Sequence, residues 1–306
     1  MAILDGKPVA EKVQQEVKKE INLLLALYGR APGLTVIIAG DDPASRVYVA
    51  SKSREARKLG IRSEVIEYPA AVSRETLIEK IDQLNDFPEV DAILVQLPLP
   101  GHLDPRELLD RIDPGKDVDC LHPLNQGLVL LNRSSVFPCT PGGILRILDF
   151  YRIDPAGMNV AVVGRSFLVG KPAAMMLSNH NATVTLCHTR TNGLPDILRR
   201  ADMVVAAAGE PGLVTADMVK PGAVLIDVGM NRLDTFADFS RYADPEKEEK
   251  FRKNGYVLVG DIHYRAYEKA SSFTPVPGGV GLMTVAMLMH NTVALHKKRK
   301  QGESIE

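Results

Sequence analysis

Apolar positions recur along this chain in two alternating rhythms. Residues 7–28 carry them at helical spacing up to Gly29, which predicts an amphipathic helix. Leu34-Thr35-Val36-Ile37-Ile38-Ala39 is a short unbroken apolar run, as a buried strand requires. Helical spacing returns from Pro43 to Leu59 and stops at Gly60. A strand over 61–67, a helix over 73–85 and the strand Ala92-Ile93-Leu94-Val95 continue the alternation. Residues 97–139 hold several prolines and glycines and read as loop. Thr140, as N-cap, and Pro141, as first helical residue, then open a helix through Tyr151, where we place a domain boundary. A second series begins at Asn159, with strands Val160–Val163, Thr183–Leu186, Met203–Ala207, Val224–Asp227 and Tyr256–Val259. Residues 233–255 are rich in charge and read as a surface excursion with a short helix. A last amphipathic helix runs from Val280 toward His296, followed by a charged tail. Strands alternating with helices predict parallel βαβ units, hence an α/β protein. No internal repeat is evident.

Composition narrows the partners. A length of 306 residues accommodates two domains, and a formal net charge of -1 gives no electrostatic footprint for nucleic acid. Three cysteines (Cys120, Cys139 and Cys187) form no C-x-x-C pair, which suits a reducing cytoplasm better than a disulfide scaffold. The first residues lack the order of a signal peptide, and no apolar run reaches membrane-spanning length. The seven histidines show no metal-ligand spacing such as H-E-x-x-H.

Chemistry enters at two places. The first is Val160 to Pro172, a strand, a glycine turn and a helix start. Gly164 frees the turn, and a helix opening near Gly170 offers backbone N–H groups to a phosphate. G-x-G-x-x-G is absent. G-x-x-x-x-G-K-[ST] fails as well, because five residues separate Gly164 from Gly170 and Pro172 stands where a magnesium-binding hydroxyl belongs. On the loop alone, a tight turn without ligand competes evenly with a nucleotide site. Dinucleotide folds place an acid about 20 residues further on for the ribose of NAD. Here that region reads Leu186-Cys187-His188-Thr189-Arg190-Thr191, with added positive charge. With Arg165 and Ser166 nearby, it favours the 2′-phosphate of NADP, against a reading of His188 and Arg190 as exposed loop residues.

The second place is Tyr48 and Lys52, four residues apart and therefore on one helix face. A lysine beside a polar partner in a cleft can serve as acid or base. A solvated helix face is the plainer alternative. Short-chain dehydrogenases use the same Tyr-x-x-x-Lys pair, but their glycine loop precedes it. Here the loop follows by over a hundred residues, which sets that class aside.

Six segments in order closely resemble the bifunctional methylenetetrahydrofolate dehydrogenase/methenyltetrahydrofolate cyclohydrolase family, nearly end to end. They are Pro43-Ala44-Ser45 through Lys52, Val95-Gln96-Leu97-Pro98-Leu99-Pro100, Lys116-Asp117-Val118-Asp119 and Pro138-Cys139-Thr140-Pro141, then Gly164-Arg165-Ser166 with Val169-Gly170-Lys171-Pro172, and Thr274 through Gly281. The resemblance implies a folate-binding domain over 1–139, completed by a returning carboxy-terminal helix over 280–306. It implies a Rossmann-like NADP-binding domain over 140–279, an active-site cleft between the two, and a homodimer. It implies oxidation of 5,10-methylenetetrahydrofolate with NADP, then hydrolysis to 10-formyltetrahydrofolate in the same pocket. Lys52 matches the catalytic lysine, Gln96 the glutamine that tunes it, and Tyr48 the tyrosine that lines the folate pocket and supports the lysine. Asp119 matches the aspartate that anchors the pterin. Gly164, Arg165 and Ser166 match cofactor contacts, with Gly170, His188 and Arg190 added from the residues themselves. Pro277, Gly278 and Gly279 match a segment that closes over the cleft.

The chain departs from the family at Cys120, where glycine is usual, and at Leu282, where proline is usual. Gly260-Asp261-Ile262-His263 replaces Gly-Asp-Val-Asp, and the excursion at 233–255 is longer than is typical. These departures keep a monofunctional dehydrogenase and a non-catalytic folate/NADP-binding protein open as alternatives. Taken singly, Gln96 could satisfy backbone groups, Asp119 could cap a turn and Tyr48 could be core packing.

Overall fold

The computed structural model describes residues 1–302. They form two compact units, one of Glu11–Cys139 with the chain from Val285 onward, the other of Met1–Ala10 with Thr140–Thr284. In chain order the elements begin β1 (Ala2–Ile3), α1 (Gly6–Tyr28), β2 (Gly33–Ala39), α2 (Pro43–Leu59), β3 (Arg62–Tyr68), α3 (Arg74–Asp86), β4 (Ala92–Val95), α4 (Pro105–Arg111), α5 (Pro123–Leu130) and α6 (Cys139–Phe150). They continue β5 (Asn159–Val163), α7 (Gly170–Asn179), β6 (Thr183–Cys187), α8 (Leu194–Arg200), β7 (Met203–Ala206), β8 (Val224–Asp227), β9 (Asn231–Leu233), α9 (Phe236–Tyr242), α10 (Pro245–Asn254), β10 (Val257–Val259), α11 (Tyr264–Tyr267), β11 (Ser272–Phe273) and α12 (Val280–Gln301). Of the expected charged tail, residues 303–306 lie outside the described residues.

The first unit is built on a parallel sheet in the order β3-β2-β4. Every residue of β2 is buried, as expected of a strand paired on both edges and covered on both faces. The cap of α2 sets that helix's rotation: Asp42 Oδ2 accepts from Ser45 N at 2.8 Å, Pro43 begins the first turn, and Gly60 ends the helix in the left-handed region at φ 94°. Ser45, Val49, Lys52, Ser53, Ala56 and Leu59 then form its buried face. The stretch expected as loop over 97–139 contains α4 and α5. Each is led by a proline and capped by the preceding side chain, Asp104 or His122. At seven and eight residues they are too short to show a hydrophobic period.

At the other end of this unit, Asp91 is fully buried and accepts from Arg30 (2.7 Å to each oxygen), Gly33 N (2.8 Å) and Arg299 (3.3 Å), with His296 Nδ1 3.0 Å away. Burial alone would raise its pKa, but His296, Arg30 and the Gly33 amide outweigh it and hold it at about 2, below the usual 3.8.

The second unit holds a six-stranded parallel sheet in the order β1-β11-β8-β7-β5-β6. This corrects the sequence reading in three respects. Met1–Ala10 belongs here rather than with a 1–139 domain, because Ala2 and Ile3 pair with Ser272 and Phe273, and Gly6 N donates to Gly278 O at 2.8 Å. Val257–Val259 is not a strand of the parallel series; it pairs antiparallel with Asn231–Leu233, and β11 takes the place next to β8. Thr140 is not the N-cap of α6, which starts at Cys139, and its Oγ1 lies 3.1 Å from Thr284 Oγ1. A proline fits anywhere in a first turn, so Pro141 could not fix the start to one residue.

Replacing Asp91 by Asn should cost about 2–4 kcal/mol by urea denaturation, since it strands cations around a neutral amide. The native carboxylate's contribution is complete above pH 3.8 and lost as pH falls toward 2. Stability measured from pH 4 to 2 should therefore fall less steeply in Asp91→Asn than in wild type.

Candidate active site

Lys52 is 9% exposed on the buried face of α2, where an amine without any acceptor would be costly. Its Nζ donates to Gln96 Oε1 at 2.9 Å. Gln96 directly follows β4. Its backbone N donates to Ile37 O at 2.8 Å and its Nε2 to Leu97 O at 2.5 Å. The second bond assigns the amide's orientation and turns Oε1 toward the lysine. Tyr48 stands one turn earlier on α2 and is 46% exposed. The structure thus brings Lys52 and Gln96 into direct contact and leaves much of Tyr48 open to solvent.

Asp119 is half-buried on the loop between α4 and α5. That loop is fixed on either side of it. Ile93 N donates to Lys116 O at 2.7 Å, and Asp117 Oδ2 accepts from His122 N and Asn125 Nδ2, both at 2.8 Å. Lys116 Nζ in turn donates to Leu84 O, Asn85 O and Phe87 O, the carbonyls at the end of α3. Sequence reasoning missed the partner of Asp119 itself. Cys139 Sγ donates to Asp119 Oδ1 at 3.4 Å and receives Asn291 Nδ2 at 3.6 Å. Burial first, then Asp119, pushes the Cys139 thiol well above its ordinary pKa, while the Lys52 charge acts in the opposite sense. The thiol therefore keeps its proton for Asp119 and lies within electrostatic reach of the lysine. In sequence, Pro138-Cys139-Thr140-Pro141 carries the signal of a helix start and of the family resemblance, and nothing local marks the thiol.

Cys120 adopts the backbone expected of the glycine it replaces. Its φ is +57°, it is fully buried, and Sγ donates to Val136 O at 3.4 Å. The added side chain is taken into the core, and the left-handed turn after Asp119 persists.

In the second unit, Gly164 ends β5 at φ +118°, and a Cβ there would lie 2.1 Å from Ala207 O. A Cβ on Gly170 would lie 2.0 Å from Gly164 O. Two glycines therefore let the β5–α7 loop fold onto itself and onto the chain after β7. Ser166 Oγ accepts from Val169 N at 3.1 Å and Gly170 N at 3.4 Å, closing the start of α7 while keeping its own proton to donate. Val163 pairs with Cys187 across β5 and β6, so Arg165 and His188 leave neighbouring parallel strands at the same end. His188 Nδ1 accepts from Arg190 N at 3.0 Å, and His188 N donates to Thr191 Oγ1 at 2.8 Å. The first bond leaves Nε2–H as the ring's donor. Arg165, Ser166 and Arg190 are exposed. Backbone turn, hydroxyl donor and cations at the carboxyl ends of a parallel sheet fit a phosphorylated dinucleotide.

Pro277, Gly278 and Gly279 lie between β11 and α12. Gly278 has φ +114°, Gly279 N donates to Pro275 O at 2.8 Å, and a Cβ on Gly6 would fall 2.1 Å from Gly279 O.

A parallel-sheet unit whose β5–α7 turn fits a dinucleotide and a second α/β unit with a buried lysine point to a nicotinamide-dependent enzyme. Comparisons give the family. The tetrahydrofolate dehydrogenase/cyclohydrolase catalytic domain matches residues 4–119, and the NAD(P)-binding domain of the same enzymes matches 138–300. The chain belongs to the tetrahydrofolate dehydrogenase/cyclohydrolase family. It is 49% identical to the bifunctional protein FolD of Moorella thermoacetica, across 95% of this chain and 97% of that one. It is 46% identical to the same protein of Koribacter versatilis, across 97% of each. Among solved structures, the bifunctional FolD enzyme of Campylobacter jejuni superposes with a TM-score of 0.89 at 40% identity, covering 98% of this chain and 99% of that one. The Trypanosoma brucei enzyme, solved with NADP cofactor and inhibitor, gives 0.88 at 39% identity, with coverage of 98% and 99%.

Gly164→Ala should be destabilised by about 2–4 kcal/mol, through both the positive φ and the collision with Ala207 O. Thermal denaturation followed by circular dichroism reads this directly, and a melting temperature within a degree of wild type would contradict the packing described.

Proposed function

We propose that this chain oxidises 5,10-methylenetetrahydrofolate to the 5,10-methenyl compound with NADP and then hydrolyses that product to 10-formyltetrahydrofolate. The contact that carries the reading is Lys52 Nζ on Gln96 Oε1 at 2.9 Å, inside a chain of this family. NADP, when bound, accepts the hydride.

For the oxidation, the substrate's own nitrogen lone pair drives hydride out of the methylene bridge, and both nitrogens stabilise the resulting cation. No alcohol proton has to be removed, so what the chain must supply is alignment. Asp119 supplies an anionic acceptor for the amino-pyrimidine donors of the pterin, with Oδ1 held by the Cys139 thiol. Pro277, Gly278 and Gly279 contact the substrate as a shaped backbone surface.

Hydrolysis needs proton transfer. Water adds to the cationic carbon and loses a proton, a ring nitrogen is protonated as its bond to that carbon breaks, and the remaining hydroxyl proton leaves as the formyl carbonyl forms. Lys52 serves as this acid and base. A glutamine is the fitting partner, since a neutral amide oxygen accepts from an amine in either protonation state. A carboxylate there would hold the ammonium. Tyr48 lines the pocket next to the lysine.

Arg165, Ser166, His188 and Arg190, with the backbone at Gly164 and Gly170, receive the cofactor, and the cations select its 2′-phosphate. The absence of an acid after β6 supports NADP over NAD. The same reading includes a homodimer and a cytoplasmic location. Three cysteines buried as free thiols agree with the second. Sedimentation at micromolar concentration tests the first.

Purified protein given methylenetetrahydrofolate should show methenyl absorbance rise and then decay with NADP, and respond weakly with NAD. No reduction of NADP at any folate concentration refutes the enzyme reading. Lys52→Met should lose cyclohydrolase activity by about 100-fold or more while retaining folate binding. Arg190→Ala should raise the KM for NADP by about tenfold and leave that for NAD unchanged.

A further inference from the structure

The charged excursion over 233–255 is a built element with its own small core. Leu233, Phe239, Tyr242, Val257 and Val259 are buried together, and Phe239 stacks on Phe251 at 4.9 Å. Thr235 and Asp244 cap α9 and α10, Gly255 ends α10 at φ 75°, and Tyr242 Oη donates to Ile262 O at 3.1 Å. Within the run Glu246-Lys247-Glu248-Glu249-Lys250, Lys247 faces inward. Its Nζ donates to Leu258 O at 2.8 Å and to Val276 O at 2.7 Å. The first bond is local and would suffice to seat α10 on β10. The second reaches 29 residues along the chain, to the residue before Pro277. On its other side the same segment is held by Gly6 N, which donates to Gly278 O at 2.8 Å.

We infer that Lys247 is a positioning residue for folate binding, bracing the Pro277-Gly278-Gly279 segment through Val276 O. The inference rests on the reading of 277–279 as substrate-binding. The excursion then serves that segment, because it brings to the Val276 carbonyl a donor that a tight β9–β10 turn would not supply. Burial lowers the pKa of this lysine, and its two carbonyl partners are acceptors for the amine in either state. Backbone fixed in this way is ready for substrate, and substrate binding need not order it.

The test compares wild type with Lys247→Met, which keeps the chain length and removes the donors, and with the milder Lys247→Gln. In Lys247→Met the KM for methylenetetrahydrofolate should rise about three- to tenfold, with kcat and the KM for NADP within about twofold of wild type. Amides of 275–281 should exchange with deuterium faster in that variant, and Lys247→Gln should lie between. A general loss of structure would move kcat and both KM values together, and that result overturns the inference. Unchanged exchange over 275–281 also overturns it. Where Lys247→Met is insoluble, Lys247→Gln decides on the same two readouts. Pro277→Ala separates the layers. If it leaves the folate KM unchanged, the substrate reading of the segment fails. If it raises that KM while both Lys247 variants do not, the positioning role fails and the substrate reading stands.

Discussion

A lysine on the buried face of a helix needs an acceptor built into the fold, and that constraint organises the first unit. Lys52 lies on the same stripe as Val49, Ala56 and Leu59. The rotation that buries those residues also carries the amine inward. The Asp42 cap, Pro43 and the left-handed Gly60 fix that rotation at both ends. The acceptor comes from the end of β4, where Gln96 is held by its backbone to β2 and by its side chain to Leu97 O. An unmet donor at such a site costs on the order of 1–3 kcal/mol, and more when charged. Helix caps, sheet register and the turn after β4 thus converge on one hydrogen bond of 2.9 Å.

Much of this arrangement was legible in the sequence because it is locally encoded. The cap and stop of α2, the buried runs of β2 and β4, and the Gly164 turn each depend on neighbours in the chain. Non-local choices were not legible. Ala2–Ile3 finds its partner at Ser272–Phe273, and two residues carry too little pattern to announce that pairing. Val257–Val259 has the composition of a buried strand but not the signal that separates an antiparallel ribbon from a parallel sheet. Cys139 and Asn291 meet across 152 residues, so the local sequence around Cys139 gives no sign that its thiol holds Asp119. Lys247 was indistinguishable in sequence from a solvated charge run.

The departures from the family pattern have local physical explanations. Gly260 and Gly229 are required because a Cβ at either would strike a buried aspartate, Asp227 at 1.8 Å or Asp261 at 2.3 Å. Asp227 accepts from the Asp261 and Ile262 amides, and Asp261 from those of Ala208, Gly209 and Glu210. Gly260-Asp261 is thus the half of that motif on which the loops after β7 and β8 depend. His263, where the pattern has aspartate, still caps α11 by accepting from Arg265 N, at a long 3.4 Å. Leu282 is 43% exposed near the start of α12, where the absent proline leaves the helix intact.

Charges that hold the fold can be told from charges available for chemistry by how fully they are met. Asp91 is surrounded by Arg30, Arg299, His296 and a backbone amide. Lys116, 1% exposed, meets three carbonyls, and burial with the nearby Arg299 lowers its pKa to about 8. Such sets close on themselves, and removing a member strands the rest. Lys52 and Asp119 are met differently. Among the described residues, Lys52 has one amide oxygen and Asp119 one thiol proton, both neutral. Each partner orients its group without neutralising it, so the amine keeps hydrogens, and the carboxyl keeps lone pairs, for a further partner. In the proposed reaction that remainder would meet the amino-pyrimidine donors of the substrate and the water that attacks its cationic product. By this criterion the Lys116-Asp117-Val118-Asp119 run holds charges of both kinds. Its first two charged groups are satisfied within the protein, and its last is held in place with a face to spare.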